Sequence, residues 1–218
     1  MRTKADLQQK VDDDLLWRRR ELFNLRTAIE DSEKNKQRQT ALLRAGVAVL
    51  YAHWEGFVKR AGSLYLEFVS NQGKRATDLT PNFVAIKFKA RIVEAAKSKK
   101  ISTTHDVVDF FCNHLQDRLK IPHKGVVDTQ SNLSSVVLRD IIWTLGLDIS
   151  PYETKSKLID ESLVDRRNHI AHGEPLDIGV KEYLELHDEV MGLLEDFRNQ
   201  IQNAAATDRF LKTRISSE

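Results

Sequence analysis

The segment Arg167-Asn168-His169-Ile170-Ala171-His172 carries a guanidinium, a carboxamide and two imidazoles within six residues. A histidine titrates near neutrality, so His172 can take a proton from a ribose 2′-hydroxyl or give one to a departing 5′-oxygen. The guanidinium of Arg167 can meet the negative charge that develops on the phosphorus oxygens, and Asn168 can orient either group. Together they suit scission of an RNA strand. The 2′-hydroxyl is the nucleophile in that reaction, so neither a catalytic Ser or Cys nor a metal is required, and the expected cofactor set is none. Plainer roles exist for the same residues. Arg167 can form a structural salt bridge with Glu161 or Asp165, and a histidine such as His172 in the last turn of a helix is favoured by the helix dipole alone. His169 stands three before His172, a spacing that suits Zn²⁺, but no third ligand stands at a matching distance in the sequence, so no metal site is expected.

The elements that must position these groups read as helices. Ser150-Pro151-Tyr152-Glu153 has the form of a capping box that opens a helix running into the segment, with Gly173 and Pro175 ending it. Ile159, Leu163 and Ile170 form its apolar stripe, flanked by Arg166 and Arg167. Two arginines beside a buried face need an anionic partner, a carboxylate or a phosphate. Asn168 and His172 are four apart and share a face, whereas Arg167 and His172 are offset by ~140° on a regular helix. Local unwinding before Gly173, or a second copy of the chain, would bring them together.

Upstream, residues 5–34 place Leu7, Val11, Leu15, Leu22, Leu25 and Ile29 at helical spacing, an amphipathic helix. From Thr40 to Ser70 apolar residues occupy most faces, which predicts a central helix stopped by Asn71-Gln72-Gly73. Glu55 lies within it and needs a partner, either Arg167 or His172 across the core or Lys59 one turn on. Thr80-Pro81 opens the next helix, and Ser102-Thr103-Thr104 can cap another through Leu119. An irregular connection spans 121–131. A short buried helix over 133–145 is closed by Gly146, and Asp177 can cap a last one through Gln202. Trp54, Trp143, the Phe residues and the single cysteine, Cys112, read as core.

Charged residues are 30% of the 218 and hydrophobic ones 41%, with only 9 Gly and 4 Pro, a composition that favours helices over a turn-rich β-sandwich. One cysteine forms no internal disulfide and suggests a reducing compartment. With no apolar run near the ~18 residues of a membrane span and no signal-type stretch, the chain reads as cytoplasmic, without a membrane partner. A net charge of +2 does not by itself argue for nucleic acid. Its distribution is more telling, because Lys74, Arg75, Lys87, Lys89, Arg91, Lys97, Lys99 and Lys100 face only Asp78 and Glu94 across 74–100. The stretch is either an RNA footprint or a solvated helix face. His123 beside Lys124 in the long connection is a further candidate RNA contact.

The stretch Leu163 to Gly173 resembles the Arg-polar-three residues-His motif of the HEPN-domain superfamily, here Arg167, Asn168 and His172. Tyr51-Ala52-His53-Trp54-Glu55-Gly56-Phe57-Val58-Lys59 is similar to the early core helix of a HEPN branch found among bacterial toxin and phage-defence ribonucleases. The resemblance implies an all-α, up-and-down helical bundle over residues 39–204, with an N-terminal amphipathic helix (1–38) packed on it and a tail or short helix at 205–218. It implies a homodimer in which Arg167, Asn168 and His172 of both subunits line one cleft; Glu55, Arg166 and His169 are read from their positions as supporting residues. The implied activity is metal-independent endonucleolytic cleavage of RNA leaving a 2′,3′-cyclic phosphate, in a toxin or anti-phage effector with an antitoxin or neighbouring defence protein as partner. HEPN toxins paired with a nucleotidyltransferase antitoxin commonly carry Tyr two residues after the motif histidine; here that residue is Glu174, so silencing by modification of that tyrosine is not expected. The competing expectation is a catalytically silent helical module that binds nucleic acid or protein through 74–100.

Overall fold

The structure, a computed structural model, describes residues 1–213; the last five residues of the expected C-terminal tail lie outside them. The bundle is built on three long helices, α1 (Lys4–Glu30), α2 (Lys36–Asn71) and α8 (Val180–Ala206). Between them come α3 (Pro81–Lys97), α4 (Ile101–Asn113), α5 (Ser135–Leu145), α6 (Ser150–Glu153), a π-helix (Leu158–Asp165) and α7 (Arg166–Ala171). The bundle is all-α and up-and-down. Extended pairing among the described residues is confined to the isolated bridges Arg75–Arg118 and Leu79–Leu211. No helix among the described residues is long and apolar enough to cross a membrane.

Apolar residues on most faces make α2 the central helix. Its Trp54 and Phe57 are fully buried and meet Phe197 of α8 edge-on, with ring centroids 6.3 and 6.2 Å apart. Leu7, Val11, Leu15, Leu22 and Ile29 lay one face of α1 into the same core. A Cβ added at Gly46 would lie 2.5 Å from the Tyr183 ring, so glycine lets α2 and α8 approach there. Gly46→Ala is therefore expected to destabilise the fold by about 1–3 kcal/mol through overpacking, even though alanine favours a helix. Urea unfolding with an unchanged slope and a lower midpoint would show it; an unchanged midpoint would reject the close approach.

Between α1 and α2 lies a polar cluster inside the bundle. Arg18 and His53 are 7% and 5% exposed. Arg18 pairs with Asp14 at 2.7 Å, His53 Nε2 meets Glu21 at 2.9 Å, and His53 Nδ1 faces Arg18 Nη1 at 3.4 Å. A neutral imidazole satisfies both contacts, donating from Nε2 and accepting at Nδ1. Burial, with the Arg18 charge added, holds His53 below its ordinary 6.5 against the opposing pull of Glu21 and Asp14. The unfolded chain then binds the proton first as pH falls, so folding stability declines as pH drops below 6.5 toward the folded value. Thermal melts from about pH 7 to about pH 5.5 are expected to fall more steeply for the native chain than for His53→Gln, and parallel curves would contradict this.

Several sequence expectations change at the periphery. Cys112 is exposed rather than core, because α3 and α4 form a single-layer hairpin in which Phe110 and Phe111 cover Phe88 and no residue of α4 is itself fully buried. Trp143 is 65% exposed, on the outer face of α5 opposite Leu138, Ile142 and Leu145. Phe23 and Phe111 are likewise exposed. The α4 helix starts at Ile101 and ends at Asn113, short of Leu119. There the Thr103 hydroxyl turns back to the Lys100 carbonyl at 2.8 Å instead of capping, and His114 past the end is gripped by Asp109 and Asp117. The last helix is capped at Gly179, not Asp177. In the tail, Phe210 is buried and Lys212 donates its N–H to the Asp78 carbonyl at 2.9 Å, so 207–213 is a docked turn rather than a helix.

Candidate functional site

The single rod expected from Ser150 to Gly173 is broken into three pieces. Ser150 does not cap it: Asp148 accepts both the Ser150 N–H (3.0 Å) and hydroxyl (2.8 Å), which places Ser150 inside the first turn of α6. After a turn at Thr154-Lys155 and two α-helical residues the chain winds as a π-helix over Leu158–Asp165, and at Arg166 it tightens again to α-helical form. A π-helix closes i to i+5 and so changes which residues share a face. The wider winding buries Ile159, Leu163 and Val164 together. On its other side Asp160 accepts the Ser135 N–H (2.7 Å) and hydroxyl (2.5 Å), so the π-helix is anchored to the start of α5. The short α7 then sets Arg167 against Tyr51 near the middle of α2, with Asn168 beside it and His172 just past the helix end.

Arg167 is half-buried and forms no ion pair with Glu161 or Asp165; among the described residues it has no carboxylate partner at all. Its guanidinium carbon lies 4.6 Å from the centroid of the Tyr51 ring, and its Nη1 donates to Asn168 Oδ1 at 2.9 Å. The neighbouring Arg166 instead pairs with Glu182 of α8. Arg167 is therefore a cation held by an aromatic face and a carboxamide, with its remaining donors available to an oxyanion. Burial pushes the Tyr51 phenol up, and the nearby Glu55 charge adds to this, while the Leu133 N–H and Arg167 pull it down. The ring stays neutral and its face remains a cation platform.

His172 is the exposed cap of α7; its backbone N–H closes on the Asn168 carbonyl at 3.0 Å, and its ring has no partner among the described residues. Arg166 to Ala171 is regular helix, a winding that sets Arg167 and His172 about 140° apart, and the chain leaves the helix at His172, whose φ of −86° and ψ of 4° are not helical. Gly173 then takes a φ of +75°, the left-handed helix end. His169 is bonded to Glu174, and no group of three metal-ligating side chains is gathered among the described residues.

Glu55 bonds neither Lys59 nor the motif: its carboxylate accepts the hydroxyl of buried Thr129 at 2.5 Å. It nevertheless lines, with Arg167, Ala48, Ala52 and Ile170, an open depression of about 290 Å³ whose floor is apolar. The basic stretch is elsewhere. Lys87, Lys89, Arg91 and Lys97 project from α3 and Lys99 and Lys100 from the turn into α4; among the described residues none of the six forms an ion pair. Lys87 and Arg91 share a groove with Asp106, Asp109 and Asp117. His123 lies near Glu67, which holds the N-terminal ammonium at 3.0 Å, and Lys124 is exposed in the same connection. Tyr51 and Thr129 are absent from the candidates named by the sequence, because an aromatic and a hydroxyl at core spacing give no sign that one will face a cation and the other a carboxylate.

The description RiboL-PSP-HEPN matches residues 13–203, most of the chain. The chain belongs to that family. Neither a curated protein nor a solved structure matches it. The match to RiboL-PSP-HEPN includes α2, the π-helix and α7, and therefore every residue of the Arg167 site described above. It begins inside α1, so the HEPN span includes most of the N-terminal helix that packs on α2 and α8.

Proposed function

We propose that this HEPN protein is a metal-independent endoribonuclease that cleaves RNA by attack of a ribose 2′-hydroxyl at a composite site between two identical subunits. The observation that carries the reading is Arg167: a half-buried cation with no carboxylate partner among the described residues, steadied by Tyr51 and Asn168. Such a group suits a phosphate. In this reading Arg167 clamps the scissile phosphate, Asn168 positions the arginine, and His172, whose ring is unbonded among the described residues, is the general acid or base. Arg166 and His169 support the helix end through Glu182 and Glu174. Residues 39–204 would be the catalytic unit, with 1–38 bracing it and 205–218 as a tail. The biological role is that of a toxin or anti-phage effector, governed by an antitoxin or neighbouring defence protein that does not act through a tyrosine at 174.

A second reading is favoured by the α3–α4 cations, which form no ion pair among the described residues: a catalytically silent module that binds nucleic acid through Lys87, Lys89, Arg91, Lys97, Lys99 and Lys100. RNA incubated with the purified protein in EDTA separates the two. Fragments ending in a 2′,3′-cyclic phosphate are expected. Salt-sensitive RNA binding without fragments would instead select the silent module, and cleavage only on addition of Zn²⁺ would reject the proposed chemistry.

A further inference from the structure

We infer that Tyr51 is a further positioning residue of the site, beside Asn168: its ring is the shelf that holds the Arg167 guanidinium in place, and its hydroxyl ties that shelf to the long connection after α4. This deepens the ribonuclease reading and rests on it for its kinetic test. Three observations meet at the one side chain. Tyr51 is 2% exposed, so its ring has little freedom, yet one face is given to the guanidinium at 4.6 Å rather than to a core side chain. Its hydroxyl oxygen accepts the Leu133 N–H at 2.7 Å. One turn along α2, Glu55 takes the Thr129 hydroxyl at 2.5 Å, so the connection from His114 to Ser134 is latched to α2 at two successive turns beneath the arginine.

The arginine needs such a shelf. Arg has four rotatable side-chain bonds and, among the described residues, no carboxylate to fix its fork; the Asn168 contact alone leaves the plane of the guanidinium unset. Contact with the face of a neutral, buried ring at 4.6 Å restricts the guanidinium further and leaves its other donors for a phosphate. Displacing a catalytic group by about 1 Å can cost on the order of 10²-fold in rate, so a residue that never touches RNA can control kcat. Tyr51 is silent in the chemistry and acts only through Arg167.

The experiment is a double-mutant cycle in the full chain, with kcat measured on a short RNA and folding checked by helicity and melting. Tyr51→Leu removes the ring, and Tyr51→Phe keeps it while removing the Leu133 bond. The expected result is a loss of roughly 10- to 100-fold in kcat for Tyr51→Leu with little change in KM. Tyr51→Phe is expected to stay within about threefold of the native chain, and Tyr51→Leu added to Arg167→Ala to cost less than about twofold more. An equal loss from Tyr51→Leu in both backgrounds would overturn the inference, because the ring would then serve the fold alone; so would native kcat in Tyr51→Leu.

A second measurement does not depend on activity. The Arg167 Nε–H resonance, assigned by its absence in Arg167→Ala, should be shifted upfield by the Tyr51 ring current, keep that shift in Tyr51→Phe and lose it in Tyr51→Leu. An Arg167 signal at the position of exposed arginines in the native protein would refute the shelf whatever the kinetics. A shifted signal in a protein that cleaves no RNA would keep the shelf and reject the ribonuclease reading. Should Tyr51→Leu fail to fold, the native and Tyr51→Phe spectra decide.

Discussion

His172→Ala is expected to lower EDTA-resistant RNA cleavage by about 10²- to 10⁴-fold, the range for removal of a general acid or base. Arg167→Ala is expected to cost about 10²- to 10³-fold through the charge left unstabilised on the phosphate. These losses should come without loss of folding. The His172 side chain is exposed at the end of α7 and bonds no other described residue, so its removal should leave the melting temperature within about a degree. Arg167→Lys keeps the charge but loses the planar fork and the stack on Tyr51, so it should recover little of the rate. The measurement is a time course of labelled RNA with all three variants and the native protein side by side. Undiminished cleavage by His172→Ala would remove the proposed mechanism, and a loss that tracked a lowered melting temperature would assign the residue to the fold.

Mixing the two inactive proteins, Arg167→Ala and His172→Ala, is expected to restore activity from near zero to about a quarter of native, because subunit exchange makes half the dimers mixed and each mixed dimer holds one complete pair. The reason lies in α7. A winding of about 100° per residue sets Arg167 and His172 about 140° apart around the axis, an offset that favours their meeting one phosphate from different chains. A second copy related by a two-fold axis can supply the histidine that the first copy directs away. The test is kinetic: cleavage by the mixture after exchange, against each variant alone at the same total concentration. Absence of recovery in a mixture shown to contain mixed dimers would mean that one chain carries its own site, and a purely monomeric native protein with full activity would do the same.

Much of the fold was legible because it is written in local periodicity. The apolar spacing of Leu7, Val11, Leu15, Leu22 and Ile29, and the nearly all-round burial of 40–70, needed only the 3.6-residue repeat to be read as α1 and α2. The stops at Gly73 and Gly146 were legible for the same reason, both taking the left-handed conformation that glycine supplies. Caps fared worse. Ser150 and Asp177 have the right side chains, but Asp148 competes for Ser150 and the chain enters α8 at Gly179, and such competition between equivalent local hydrogen bonds is settled by where the flanking chain must go. Cys112 and Trp143 show the limit of periodicity: an apolar face predicts that something packs there, not that the fold has a second layer to provide it.

The sequence by itself determined which groups could do chemistry, since Arg167, Asn168 and His172 are close in the chain and their spacing on a helix is arithmetic. Only the tertiary structure decided what surrounds them. The π-helix, which the spacing of Ile159, Leu163 and Ile170 read as regular, holds Asp160 against Ser135 and Val164 in the core. Tyr51 beneath Arg167 and Thr129 beneath Glu55 are contacts across more than seventy residues of chain, and no local pattern encodes the partner of a side chain that far away.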